Sequence, residues 1–285
     1  MVKYYTRACN FYYGNHAKLL IKKKIALPLC GKNNLAFDTI EFFARKNRRV
    51  KSKKIFLKNL KKLSNFEYKL IKKDLVKISS KRKNFLKNVN FSKPTLMGIL
   101  NLTPDSFSDG GKYNSNKKSF NHISKMIREG AQIIDVGGES TRPGSKTIES
   151  QAEWKRVKYV IQNFKKNFKR ISLSLDTRKH YLMLKGIKHG VDLINDVSGF
   201  KFDPLALQKI SNYKIPKVLH HMKGNPNTMQ KSPKYENVLL DIYDFFEDSI
   251  NKKFKDKKII LDPGIGFGKT LKHNLTLISK ISLFH

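Results

Sequence analysis

Between residues 95 and 262, three features recur six times in a fixed order: a short apolar run, a polar residue at or just past its end, and a helical pattern. The runs are TLMGIL (95–100), AQIIDV (131–136), ISLSL (171–175), DLIND (192–196), KVLHHM (217–222) and KIILD (258–262). Near-continuous apolar runs of this length suit strands buried on both faces, as in a parallel sheet. The segments between them repeat at helical spacing. Phe120, Ile123 and Ile127 share one face of 119–130, and Trp154, Val157, Val160, Ile161 and Phe164 share one face of 149–167. Gly130 and Gly190 follow two of these patterns as helix stops. Strand and helix in alternation predict an α/β fold.

The polar residues decide which α/β architecture to expect. Asn101, Asp135, Asp176, Asn195, Met222 and Asp262 fall at the carboxyl ends of successive runs. Chemistry at the end of every strand is the pattern of a (β/α)8 TIM barrel. A doubly wound sheet would gather it at one switch point and would open with a Gly-rich turn after its first strand. About six βα units are legible in 93–285, and the sequence reaches His285 inside what reads as the sixth helix. The expectation is an incomplete barrel, cut at its C-terminus. Its open strand edge would favour association or poor solubility.

Residues 1–92 read differently, as a Lys-rich extension or accessory subdomain. They hold 25 Lys and Arg against 4 Asp and Glu, in a chain of net charge +37. The pattern suggests a short strand-and-turn region and then one basic helix near 66–88, with Leu70, Ile71, Leu75 and Ile78 on its apolar face. Such charge suits nucleic acid or an anionic surface. Lys far outnumbers Arg, however, and phosphate and guanine readout favours Arg forks. With Asn, Ile and Phe also abundant, the lysines match an AT-rich coding sequence, and a solvated face with no nucleic-acid partner is expected. Cys9 and Cys30 make neither a disulfide framework nor a metal-ligand spacing, which points to a reducing, cytoplasmic setting. No run approaches the ~18 apolar residues of a membrane span. The start, MVKYYTRACNFYYG, lacks the apolar core of a secretory signal.

One stretch breaks the lysine pattern: from Pro94 to Gly111 there is no Lys or Arg. It contains MGILNLTPDSFSDGG (97–111), followed in order by IIDVGGESTRPGS (133–145), SLDT (174–177), LINDVSG (193–199), HMKGNPNTMQ (221–230) and LDPGIGFGKT (261–270). This series resembles the dihydropteroate synthases, the sulfonamide-target enzymes of folate synthesis. The resemblance covers most of 94–285 and none of 1–92. It implies a TIM barrel that condenses p-aminobenzoate with 7,8-dihydropterin-6-ylmethyl diphosphate, releasing diphosphate.

The same resemblance implies roles. Asp176 and Asp262 would hold the N–H donors of the pterin edge, since a carboxylate accepts two such bonds with charge assistance. Asn195 would add an amide that donates and accepts, and Met222 would pack on the ring face. Asn101 would meet a Mg²⁺ ion that keeps most of its waters. Thr141 and Arg142 would contact the diphosphate, with Asp105 orienting the first loop or Arg142. Phe107, Pro143 and Phe267 would line the p-aminobenzoate slot. The loops at 101–111 and 137–145 would close over the diphosphate, where a stray lysine would trap the product. Cleavage of the C–O bond first, then attack by the neutral arylamine, requires no protein nucleophile. His220 and His221 are read as part of the strand-end motif rather than as metal ligands. The family is commonly homodimeric. Two other readings compete. A methyltetrahydrofolate methyltransferase would share the Asp/Asn pocket but lack the two diphosphate loops. A nucleic-acid module in 1–92 would bind RNA with steep salt dependence.

Overall fold

The structure, a computed structural model, describes residues 2–91, 93–103, 116–140, 145–224, 229, 232–254 and 258–285. It falls into two compact units, Met1–Lys83 with Ile278–His285, and Asn84–Leu277.

The first unit is built on an antiparallel sheet. Strand β1 (Val2–Tyr13) leads through helix α1 (Gly14–Lys22) and the short β2 (Leu27–Pro28) to β3 (Leu35–Lys46) and β4 (Arg49–Phe56). β1 pairs with β3 from Val2↔Lys46 to Tyr13↔Leu35. The other edge of β3 is shared by β2, along Ala36 and Phe37, and β4, along Thr39 to Lys46. A two-residue turn joins β3 to β4, with Asn47 at φ 53, a left-handed conformation that Asn tolerates. Helix α2 (Asn65–Ser79) starts at Ser64, whose hydroxyl accepts the Glu67 amide. It buries Ile71, Leu75 and Ile78 against Ala8, Phe37, Ile40 and Phe42. A buried ion pair spans the sheet, Arg7 Nε and Nη2 donating to Glu41 Oε2 at 3.0 and 2.8 Å.

This is far more sheet than the strand-and-turn expectation allowed. Both faces of β1 and β3 carry buried residues, so the two-residue alternation that marks a half-buried strand is blurred. The expected basic helix is real but stops at Ser79, not near 88. The Ser79 and Ser80 hydroxyls bond back to the Leu75 and Val76 carbonyls, and the next positions on the helical face after Ile78 are the charged Lys81 and Arg82. The expected sixth helix stops at Ser279 rather than running on to His285. A 3₁₀ turn at Ile281–Phe284 is held by Ser282, whose hydroxyl donates to the Ala8 carbonyl and accepts from Arg7 Nη1.

The second unit carries a parallel sheet of β5 (Leu96–Asn101), β6 (Ala131–Gly137), β7 (Ser172–Asp176), β8 (Leu193–Asp196), β9 (Lys217–His220) and β10 (Ile259–Asp262). Each strand pairs with the next in sequence, from β5 to β10 without reversal. A doubly wound sheet would reverse its strand order at the switch point, so this is barrel order. Between the strands lie α3 (Asn116–Arg128), α4 (Ser150–Asn167), α5 (His180–Lys188), α6 (Ala206–Lys209) and α7 (Val238–Lys253), and α8 (Leu271–Ser279) follows β10.

Alternation along the strands sorts two environments. One face sends Ile134, Val136, Leu173, Leu175 and Ile194 into a core with Ile123 of α3, the Trp154, Val157, Val160, Ile161 and Phe164 stripe of α4, and Leu182 and Met183 of α5. Each fully buried aliphatic or aromatic side chain there contributes about 1.5–3 kcal/mol. The opposite face points inward. Its lower level is apolar: Met97, Ile133, Leu193, Val218 and Ile260, one from each of five strands, pack with Phe85, Leu86, Val89 and Phe91. Residues 84–91, just ahead of β5, thus plug the amino-terminal end of the sheet's inner face. The Ser172 hydroxyl ties them down by donating to the Lys87 carbonyl at 2.6 Å.

Candidate active site

Two residues above four of the five apolar floor positions the inner face turns polar, while on β5 Ile99 follows Met97 and the polar residue comes at Asn101. Asp135 stands above Ile133, Asn195 above Leu193, His220 above Val218 and Asp262 above Ile260. On β7 the same face carries Ser172, Ser174 and Asp176. The register sets the tips side by side, in the order Asn101↔Gly137, Gly137↔Asp176 and Asp176↔Asn195, with His220↔Asp262 further round. Gly137 leaves space between its neighbours. A Cβ there would stand 3.3 Å from Asp176 Oδ2 and 3.4 Å from Asn101 Oδ1, so the two side chains share the gap above it.

The structure therefore gathers Asn101 of β5, Asp176 of β7 and Asn195 of β8 around the gap left by Gly137 of β6, and places Asp262 of β10 on the same inner face. Among the described residues none hydrogen-bonds the Asp176 carboxylate. Burial above all, and then the negative charges of Asp135, Asp196 and Glu153, push its carboxyl well above the ordinary range. Asn195 Nδ2 donates to Asp135 Oδ2 at 2.9 Å. Asp262 Oδ1 accepts the Gly264 amide at 2.8 Å. Gly264 sits at φ +68, and any Cβ there would stand 2.0 Å from the His221 carbonyl oxygen, so only glycine fits this turn. Phe267 is half-buried, its ring edge-on to His220 with centroids 4.7 Å apart. Met222 is buried just beyond the tip of β9. Asp105, Phe107, Thr141, Arg142 and Pro143 lie outside the described residues.

Several groups escaped the sequence reading. Glu139, just past β6, is buried, and its Oε2 accepts Arg178 Nε and Nη2 at 3.0 and 2.6 Å. Its Oε1 accepts Lys179 Nζ and the Ile148 amide, each at 3.0 Å. Burial acts to raise its carboxyl, but these donors hold it below the ordinary range. Lys179 also reaches Glu153 Oε2 at 2.5 Å, and Glu153 Oε1 accepts the Thr177 hydroxyl. The stems of the loops after β6 and β7 are thus tied together and to α4. Ser145 Oγ donates to the Ser140 carbonyl at 2.7 Å, which brings the two ends of 140–145 together. Lys269 is buried, its ammonium 2.9 Å from the Phe267 carbonyl and 3.2 Å from His221 Nδ1, and burial lowers it to about 8. The same burial, with the Lys269 and Lys201 charges, takes His221 down to about 3, so its ring is neutral. A lysine inside the Gly-rich GIGFGKT after a strand tip was the available signal for Lys269. For Glu139, Arg178 and Lys179, charges beside strand ends, the sequence showed no partner.

Asp196 gives a pH-dependent stability. It is fully buried on the outer side of β8, its Oδ1 takes the Ser198 amide and hydroxyl, and its Oδ2 has no partner among the described residues. Burial lifts its carboxyl from 3.8 to about 6. The folded state then holds the proton more tightly than the unfolded chain, so stability falls as pH rises from 3.8 through about 6. Asp196→Asn keeps the acceptor for Ser198 and removes the ionisation. Its stability relative to wild type should rise by roughly 2–3 kcal/mol between pH 4 and pH 7, as read by urea unfolding at both values. A constant difference would contradict the assignment.

The comparisons agree with this geometry. Residues 97–285 match the model of a family described as pterin binding enzyme. The dihydropteroate synthase of Escherichia coli (strain K12) is 41% identical over 202 residues, 70% of this chain and 71% of that protein. A crystal structure of the Yersinia pestis dihydropteroate synthase with a sulfonamide drug complex superposes with a TM-score of 0.65 at 40% identity, covering 69% of this chain and 72% of that one. The Xanthomonas albilineans dihydropteroate synthase with 4-aminobenzoic acid gives 0.60 at 33% identity, covering 68% and 69%. No helix among the described residues is long and apolar enough to cross a membrane. With the barrel order, the polar ring above an apolar floor and these relatives in agreement, the chain belongs to the dihydropteroate synthases of the pterin-binding enzyme family.

Proposed function

We propose that the ring of strand tips binds the pterin of 7,8-dihydropterin-6-ylmethyl diphosphate and presents its methylene carbon to p-aminobenzoate, giving 7,8-dihydropteroate and diphosphate. The observation that carries this reading is the set Asn101, Asp176, Asn195 and Asp262 on one inner face above an apolar floor. Asp176 and Asp262 take N–H donors from the pterin edge, and Asn195 takes the position between them in strand order. The floor excludes water from below, which strengthens every hydrogen bond to the ring. Met222 supplies a soft apolar contact to the ring face, and Phe267 forms a wall of the arylamine slot. Thr141 and Arg142 contact the diphosphate, Asp105 orients the loop over it, and Phe107 and Pro143 complete the slot; these five roles rest on the motif resemblance.

Asn101 suits a Mg²⁺ ion. Its amide is exposed at the tip of β5 with Oδ1 toward the gap above Gly137. Mg²⁺ keeps several waters and takes only one or two protein oxygens, so a single amide fits without an acidic cluster. When bound, the ion neutralises charge on the departing diphosphate. By the same resemblance the working form is a homodimer, and the two free cysteines suit a reducing, cytoplasmic setting.

Calorimetric titration tests the reading. Pterin should bind with no need of metal, and pterin diphosphate should gain about tenfold or more in affinity when Mg²⁺ is added. A protein that binds neither compound, with or without metal, would refute it.

A further inference from the structure

The inner face holds one buried carboxyl that the reaction above does not use. Asp135 is 4% exposed and sits on β6 directly above the apolar floor. Its Oδ2 accepts Asn195 Nδ2 at 2.9 Å. Three buried polar atoms nearby on this face have no partner among the described residues: Asp135 Oδ1, Ser174 Oγ and Asn195 Oδ1. Ser174 is the register partner of Asp135, and Asn195 is the register partner of Asp176.

A primary amide has a donating end and an accepting end, and a buried one is turned by whichever neighbour it meets. A carboxylate accepts only, so it draws the NH₂ end of Asn195 and leaves the carbonyl oxygen as the group the amide can offer. The register sets Asn195 beside Asp176, so an accepting amide end there adds to the acceptor already on β7. Two acceptors side by side match a heterocycle edge with adjacent N–H donors. They penalise an edge that puts an oxygen in the same place, because two acceptors would be left facing each other in a dry site.

We propose that Asp135 is a positioning residue that fixes the orientation of the Asn195 amide and so sets the pocket to read an amino-bearing pyrimidine edge against its oxo counterpart. Burial raises the Asp135 carboxyl, while the Ser174 hydroxyl opposite and the Asn195 amide favour its ionised form. Oδ2 remains an acceptor in either state. The inference rests on the pterin reading of this site.

The test compares pterin, which carries the 2-amino group, with lumazine, which carries an oxo group there. Asp135→Asn gives the neighbour an NH₂ of its own, so the Asn195 amide can turn over and offer a donor. Wild type should prefer pterin strongly. In D135N the pterin-to-lumazine affinity ratio should shrink by about tenfold, the discrimination expected of one such hydrogen-bond mismatch. An unchanged ratio in a folded D135N protein, with wild type still preferring pterin, overturns this inference and leaves the pterin reading standing. Wild type that binds neither heterocycle overturns both. Should D135N not fold, ¹⁵N-asparagine labelling of wild type decides. Nδ2 protons of Asn195 that stay slowly exchanging, with their shifts unmoved when pterin is added, support the orientation. Protons that exchange freely, or shift as direct ligand contacts, overturn it.

Discussion

Asp176→Ala should weaken pterin binding by about 10²- to 10³-fold, the ~3–4 kcal/mol lost when a buried charged acceptor is cut away from paired donors. The fold should survive, because this carboxylate costs the protein stability. It lies on the inner face with no hydrogen bond from the described residues, and its ionisation is opposed by burial first and then by the charges of Asp135, Asp196 and Glu153. Removing it relieves that opposition, so thermal melting should show a Tm at or above wild type. A residue kept against its own stability cost marks a site shaped for a ligand rather than for the core. Wild-type affinity in the alanine variant would sink the pocket assignment.

The same carboxyl gives the binding a pH signature of fixed sign. The acceptor is the ionised form, and the raised pKa keeps the proton on in the free protein at mildly acidic pH. Pterin must therefore displace a proton there. Affinity climbs as pH rises through the raised value and levels off above it, and titrations in buffers of different ionisation heat should show proton release on the acid side. Facing Asp176 are Asp135 from β6, Asn195 from β8 and Glu153 from α4, with Arg178 just beyond its own strand. Of these, only the Arg178 charge favours ionisation of Asp176. Asp176→Asn should remove the pH dependence together with most of the affinity.

What the sequence revealed of this site follows from what its residues do locally. The strand tips were legible because each lies one step past an apolar run, and parallel strands buried on both faces leave few other places for Asn101, Asp176, Asn195 or Asp262. The helix α4 was legible because Trp154, Val157, Val160, Ile161 and Phe164 all face one core, and all five are buried. The floor was not. Leu86 and Val89 lie in a lysine-rich stretch with no period, and only three-dimensional proximity to Ile133, Leu193 and Val218 gives them meaning. The antiparallel sheet of the first unit was missed for a related reason, since β3 buries Phe37, Ile40, Phe42 and Phe43 on two faces and so shows no clean alternation. Asp135 was legible as a strand-end residue but not as the partner of Asn195, because that hydrogen bond joins positions 60 residues apart.

The polar tie behind the strand tips carries the second large expectation. Glu139→Ala should lower the unfolding free energy of the barrel unit by about 3–5 kcal/mol, the usual cost of stranding a buried charge. Three donors lose their acceptor at once. Arg178, with 8% of its side chain exposed, loses a two-pronged bond, Lys179 loses one of two carboxylates, and the Ile148 amide is left without its partner. Among the described residues, Arg178 retains its stacking over Phe202, with the guanidinium 4.1 Å from the ring centre, and the more distant attraction of the Asp176 and Asp196 carboxylates. The chain's single tryptophan, Trp154, follows Glu153 in α4 and is buried in the core of this unit, so its fluorescence in urea reports the relevant transition. A double-mutant cycle with Arg178→Met separates two ideas. If the pair itself stabilises, the double variant stays as unstable as either single. If the cost is mainly that of an orphaned cation, an apolar side chain over Phe202 recovers part of the loss, and the double variant is more stable than Glu139→Ala alone. The second outcome is expected, since desolvating four charges at the base of two loops offsets most of their mutual attraction. A Glu139→Ala loss below about 1 kcal/mol, the range of an exposed pair, would show that these charges remain in contact with water.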